Sequence, residues 1–90
     1  ANFSIRKAVE HAMSCRAASI VIAHNHPSGF AGPSDADYVM TRHLQRALEP
    51  LEIVLSDHII VADTDFYSVA DHGFFDLDFD FDDRYNTFEP

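Results

Sequence analysis

Three side chains suited to binding a metal lie close together in the first half of the chain. His24 and His26 are two residues apart at the end of a short apolar run, and Asp37 follows eleven residues after His26. If that run is a β-strand, both imidazoles project from the same face, because alternate strand residues point the same way. Catalytic zinc is commonly held by histidines and a carboxylate, with a fourth position left for water. The spacing therefore predicts one zinc ion bound by His24, His26 and Asp37.

A purely structural explanation of part of this pattern stays open. Ser34 and Asp37 have the spacing of a capping box, in which a serine and an acidic residue close the start of a helix. Such a pair needs no catalytic role, and an isolated His-X-His is weak evidence for a metal. The two explanations are compatible, because the Ser34 oxygen can accept a backbone N–H while its hydroxyl proton donates to an oxyanion. Ser34 is therefore a candidate catalytic residue.

The elements that would position these residues follow from the hydrophobic pattern and the capping signals. The predicted elements are a helix over about 5–16, a strand over 18–23, a helix from 34 to about 50, and strands over 52–62 and 66–69. The strand over 18–23 is apolar and rich in β-branched residues, so we expect it to be buried on both faces. This order of elements predicts a small α/β fold.

Length and composition exclude several classes of protein. Ninety residues predict a single domain. The net charge is −9, and the six Lys and Arg residues are scattered, so direct binding to nucleic acid is not expected. No apolar run approaches the roughly 20 residues that a membrane helix needs, and no signal peptide is recognisable. The single cysteine, Cys15, excludes an internal disulfide, and together these features predict a cytoplasmic protein.

The last twenty residues differ from the rest in composition. Residues 71–90 hold seven acidic residues and one arginine, so they carry −6 of the net charge of −9. Within them, aromatic or apolar residues alternate with aspartate over 75–81, as in an amphipathic strand. A disordered acidic tail fits the same composition. We therefore predict a domain over 1–70 and an acidic aromatic tail over 71–90, either an edge strand or disordered.

The combined spacing resembles the JAMM (MPN+) metalloprotease motif, His-X-His, seven residues, Ser, two residues, Asp. His24, His26, Ser34 and Asp37 fill its four positions. The flanking residues are similar to the C-terminal domain of RadC proteins over about three quarters of the chain. They are Ala23-His24-Asn25-His26-Pro27-Ser28-Gly29, Pro33-Ser34-X-X-Asp37, Asp57-His58-Ile59-Ile60-Val61 and Tyr67-Ser68.

This resemblance implies a fold and a chemistry. JAMM domains have a mixed sheet between helices, in a layout related to cytidine deaminase. In such families the two histidines and the aspartate bind zinc, the serine steadies the oxyanion, and a glutamate polarises the attacking water. The resemblance thus implies a metal-dependent hydrolase acting on peptide or isopeptide bonds of a peptide or protein substrate. The RadC name is also associated with DNA repair, although no residue here argues for that role.

The chain departs from the family pattern in one respect. The glutamate of the family lies on an early strand, whereas the 23 residues before His24 resemble the helix that follows that strand. Glu10, Glu49, Glu52 and Glu89 lie in or after helices or in the tail. We therefore expect an N-terminally incomplete fold, either truncated or naturally short, that lacks the general base and has weak or no activity. The alternative is a non-catalytic metal-binding or protein-interaction module.

Three further expectations concern residues around this motif. Asp57 and His58 are expected to form a hydrogen-bonded pair at a sheet edge rather than to bind metal. Arg42 and Arg46, one turn apart on the second helix, are expected to be solvated. The strand over 18–23 is expected to have a bare edge that allows self-association into a homo-oligomer.

Overall fold

The computed structural model describes residues 3–76, and these form a three-stranded sheet with two α-helices. The elements are α1 (Ile5–Ser14), β1 (Ser19–Asn25), α2 (Asp35–Leu48), β2 (Val54–Ala62) and β3 (Asp65–Ser68), with short 3₁₀ turns at Glu49–Leu51 and Phe74–Asp76. The predicted α/β class and the predicted order of elements are confirmed. Element boundaries differ from the predicted ones by no more than about two residues, as expected where helix ends fray.

The sheet is mixed, with strand order β1-β2-β3. Strand β1 runs parallel to β2, and His24 lies beside Ile60 in that pairing. Strand β3 returns antiparallel to β2. Because β1 and β2 are parallel, their carboxyl ends meet at the same edge of the sheet, and α2 begins there.

Both described helices pack on the same face of the sheet. Leu44 and Leu48 of α2 are fully buried, and Ala12 of α1 and Leu55 of β2 belong to the same apolar cluster. Ile20 of β1 packs against this cluster from the sheet side. The core therefore lies between the helices and this face of the sheet.

The prediction that β1 is buried on both faces is wrong for the described residues. Ile20 and Ile22 face the helices, whereas Val21 is 58% exposed and Ala23 is exposed. The reason is that neither α1 nor α2 covers the second face. An apolar run therefore indicated a strand correctly, but it did not indicate how many faces are covered.

Two other expectations are wrong: the position of His58 at a sheet edge and the exposure of Arg42. His58 lies in the central strand, not at a sheet edge, and it is fully buried against α2. Arg42 is only 6% exposed, because its guanidinium lies 4.2 Å from the centre of the Phe74 ring. Arg46 is exposed, as predicted.

Phe74 belongs to the predicted tail, but it packs against the domain. Its ring is stacked on Tyr38 of α2 with the ring centres 5.2 Å apart. The predicted strand over 75–81 begins with residues that form part of the turn Phe74–Asp76. Its remainder, 77–81, lies outside the described residues, as does the rest of the tail. The division between 1–70 and 71–90 stays a prediction.

None of the helices in the described part of the chain is long and apolar enough to cross a bilayer.

Candidate metal centre

The carboxyl end of β1 positions the two histidines. His24 is the sixth residue of the strand Ser19–Asn25, and His26 follows directly after the strand. The backbone N–H of His26 donates to the Val61 carbonyl at 2.8 Å, so the extended conformation continues through this residue. The two imidazoles consequently lie on one face, as predicted, with ring centres 4.7 Å apart.

The start of α2 positions Asp37. Ser34 caps the helix: its Oγ accepts from the Asp37 backbone N–H at 3.1 Å. The Ser34 backbone N–H donates in return to Asp37 Oδ2 at 2.8 Å. The predicted capping box is therefore present, and it fixes the Asp37 carboxylate beside the carboxyl end of β1.

The three predicted ligands come together. Asp37 Oδ2 lies 3.1 Å from His26 Nε2, and Asp37 Oδ1 lies 3.5 Å from His24 Nε2. One ligand atom from each of the three residues falls within 4.8 Å of the others. Their side chains are 16–26% exposed, so the group is open to solvent on one side. Their role as metal ligands stays a prediction.

The hydrogen bond of His26 shows that this cluster suits a cation. His26 Nδ1 lies 3.0 Å from the Phe30 carbonyl, which can only accept, so Nδ1 carries the proton. In the neutral ring Nε2 then holds a lone pair, which faces a carboxylate oxygen 3.1 Å away. Two acceptors at this distance repel each other unless a cation, either a proton or a metal ion, lies between them. The donor set of two imidazoles and a carboxylate fits zinc.

The electrostatics favour the metal-binding forms of two of the three candidate ligands, Asp37 and His24. Burial opposes ionisation of Asp37, but hydrogen bonds from Ser34 and the nearby histidines outweigh it and lower the pKa of this carboxyl. Burial is the main cause that lowers the pKa of His24; Asp37 opposes the shift and His26 adds to it. An ionised carboxylate and neutral imidazoles are the protonation states that metal ligands require.

Ser34 lies at the capping turn that holds Asp37. Its oxygen is engaged as an acceptor, and within the described residues its hydroxyl proton has no acceptor. The hydroxyl is therefore free to donate to a substrate oxygen. The predicted catalytic role of Ser34 is not tested by this arrangement.

Two further residues belong to the site. For His58 the sequence predicted a pair with Asp57 at a sheet edge, and Thr41 was not singled out. His58 Nε2 lies 2.8 Å from His24 Nδ1, and His58 Nδ1 lies 2.7 Å from Thr41 Oγ1. Burial, with a smaller contribution from His24, lowers the pKa of His58 to about 4. The signal for them was present: His58 interrupts an apolar strand, and Thr41 lies one helical turn after Asp37.

Asp57 has a different role from its neighbour. Its carboxylate accepts from the Ala70 backbone N–H at 2.8 Å and from the Ser68 hydroxyl. It also accepts from the backbone N–H of His58 at 2.7 Å, so no side-chain pair forms between the two. Asp57 therefore ties β2 to the end of β3 and does not approach the three candidate ligands.

The described glutamates lie away from the site. Glu10 is paired with Arg6 at 3.0 Å on the exposed side of α1. Glu49 and Glu52 follow α2 and precede Val54, which lies beside Ser19 at the opposite end of β1. His24 lies five positions after Ser19, roughly 16 Å along the strand. Glu89 lies outside the described residues.

Comparison with known proteins identifies the family. Residues 1–74 match the RadC-like JAB domain. The chain is 47% identical over 68 residues to a UPF0758 protein of Cupriavidus pinatubonensis, covering 76% of this chain and 30% of that protein. It is 45% identical over 73 residues to a UPF0758 protein of Cellvibrio japonicus, covering 81% and 33% respectively. The chain spans about a third of the length of these relatives. The chain belongs to the RadC-like JAB domain family, as the resemblance of its motif implied.

Proposed function

We propose that this chain is a zinc-binding hydrolase domain that cleaves peptide or isopeptide bonds with a metal-activated water. The observation that carries the proposal is that one ligand atom from each of His24, His26 and the ionised Asp37 carboxylate lies within 4.8 Å of the others. Membership of the RadC-like JAB domain family supports it.

The candidate ligands and Ser34 would have separate roles in this reaction. His24 and His26 would bind the zinc through Nε2, and Asp37 would bind it through its carboxylate. Bound zinc lowers the pKa of a water ligand to about 7 and polarises a carbonyl oxygen. The free hydroxyl proton of Ser34 would donate to the oxyanion that develops on the scissile carbonyl. The N-terminus of α2 adds a partial positive charge at the same place.

A second function is favoured by the positions of the glutamates. Because Glu10, Glu49 and Glu52 all lie away from the cluster, no described glutamate can polarise the attacking water. The same cluster would then serve a metal-binding or protein-interaction module without turnover. Neither function involves direct contact with nucleic acid, which the net charge of −9 disfavours. A DNA-repair role, associated with the family name, would act through a protein partner.

Metal content tests the site on which both functions depend. After mild chelation and repletion, elemental analysis should find one zinc per wild-type chain and none in the His24→Ala, His26→Ala double variant. His11→Ala, which removes an exposed histidine of α1, is the matched control and should retain zinc. Equal zinc in the double variant and the wild type would refute the site. Peptide cleavage that stops on chelation would then separate the hydrolase from the inert module.

A further inference from the structure

We propose that Thr41 and His58 are positioning residues that fix the tautomer of His24, leaving the His24 Nε2 lone pair directed at the metal. They form one directed chain of hydrogen bonds, from the Asp37 carbonyl through Thr41 and His58 to His24. This role rests on the proposed zinc site, but the hydrogen bonds themselves join only groups of this chain.

Thr41 sets the donor-to-acceptor direction of these hydrogen bonds. Its Oγ1 lies 2.6 Å from the Asp37 backbone carbonyl and 2.7 Å from His58 Nδ1. The hydroxyl has one proton, and the carbonyl can only accept, so that proton belongs to the bond with Asp37. Thr41 must therefore accept from His58, and His58 carries its proton on Nδ1.

The tautomer of His24 follows from that of His58. His58 is fully buried, and a charged imidazolium without a carboxylate partner is costly in such a place. In the neutral ring, a proton on Nδ1 leaves a lone pair on Nε2, which lies 2.8 Å from His24 Nδ1. His24 must therefore donate from Nδ1, and its own Nε2 is left as the acceptor that faces Asp37.

The chain of hydrogen bonds matters because Asp37 favours the opposite tautomer of His24. Its Oδ1 lies 3.5 Å from His24 Nε2, where a carboxylate attracts a proton onto that nitrogen. A proton there would prevent His24 from binding metal. His26 is protected from this by the Phe30 carbonyl, which holds its proton on Nδ1. For His24 the corresponding acceptor is a buried side chain, His58, and Thr41 in turn holds that side chain in the accepting form.

Two substitutions at Thr41 test this role. Thr41→Val keeps the branched shape but removes the hydroxyl, whereas Thr41→Ser keeps the hydroxyl. Loss of such an outer partner typically weakens metal binding by 10–100-fold. We expect this loss of zinc affinity in Thr41→Val, measured by competition with a chelator, and affinity close to that of wild type in Thr41→Ser. At His58, Gln can accept and donate as the imidazole does, so His58→Gln should retain more affinity than His58→Phe.

Nitrogen NMR of the metal-free protein gives a readout that does not depend on zinc. We expect His24 to be protonated on Nδ1 in wild type and in Thr41→Ser, and to shift towards Nε2 in Thr41→Val. Wild-type His24 protonated on Nε2 would overturn the role of Thr41 and His58, whether or not the variants fold. A wild type that binds no zinc but keeps the Nδ1 tautomer would refute the proposed function and leave the hydrogen-bond chain intact. Unchanged tautomer and zinc affinity in both Thr41→Val and His58→Phe would also overturn it.

Discussion

His58 shows what a buried polar side chain in this site costs. It has no exposed surface, and its pKa lies at about 4, below the ordinary value of 6.5, because burial disfavours the charged ring. The unfolded chain takes up a proton at this histidine near pH 6.5. Between these two values the unfolded state binds more protons than the folded state, so stability falls as the pH is lowered through this window.

We therefore predict that the metal-free protein loses stability between about pH 6.5 and about pH 4, with a slope of at most about 1.4 kcal/mol per pH unit for each such histidine. Denaturant unfolding of the chelated protein at several pH values measures this slope. His58→Gln is the control, because its side chain does not titrate and the part of the slope due to His58 is lost. Equal slopes in both proteins would contradict the prediction.

The residues of the site differ in how far the sequence predicts them. His24, His26 and Asp37 are predictable because each lies at the end or start of a recognisable element. His58 is not, because its contact with His24 depends on the register of two strands. The register shifts between Ile20 and Val21, opposite the Leu55 to Asp57 stretch. This irregularity brings Leu55 and His58, three residues apart, to the same buried face, which regular alternation would not do.

The two helices begin with the same kind of cap. Each is capped by a serine whose Oγ accepts a backbone N–H at 3.1 Å, from Lys7 in α1 and from Asp37 in α2. Only the second cap holds a candidate ligand. The general contribution of a serine cap to stability can therefore be separated from its contribution to the metal site.

We predict that Ser4→Ala and Ser34→Ala each lower the free energy of unfolding by about 1 kcal/mol, since each removes one cap. Only Ser34→Ala should weaken zinc binding, by about tenfold, because fraying of the first turn of α2 releases Asp37. Denaturant unfolding and chelator competition on both variants give the two quantities. Equal loss of zinc affinity in Ser4→Ala would show that the effect reflects overall stability.

Helix caps and strand periodicity predict the elements well, but they do not predict what covers them. The serine caps and Pro50 place the helix ends to within about two residues. The exposure of Val21 could not be read from the apolar run, because it depends on the position of both helices. The burial of Arg42 has a similar cause: the ring that covers it belongs to Phe74, which is 32 residues further along the chain.

The sheet over the described residues has two edges, the outer sides of β1 and of β3, and β1 is the edge at which association is expected. Strand β1 has a single described neighbour, β2, and a groove beside it is lined by α1 residues such as Lys7 and His11. Val21 and Met13 are both more than half exposed in this region. The self-association expected from the sequence has a suitable surface here, and it stays a prediction.

Turnover by a metal-activated water would depend on a general base as well as on the metal ligands. The chain matches about a third of the length of each relative. The family pattern places a glutamate on an early strand, whereas the described glutamates lie away from the ligands. A positioned acid or base typically contributes 10²–10⁴-fold to a rate. The position of this one group should therefore dominate turnover.

We predict that a chimaera in which the early strand of the family pattern, with its glutamate, is joined ahead of Ala1 has zinc-dependent peptide cleavage about 10²–10⁴-fold faster than the 90-residue chain. Initial rates on linear and isopeptide-linked peptides measure the increase. Two controls separate its causes: the same chimaera with the added glutamate changed to glutamine should lose the increase, and the chimaera carrying His24→Ala and His26→Ala should lose cleavage. A 90-residue chain that cleaves as fast as the chimaera would show that the base lies within the chain itself.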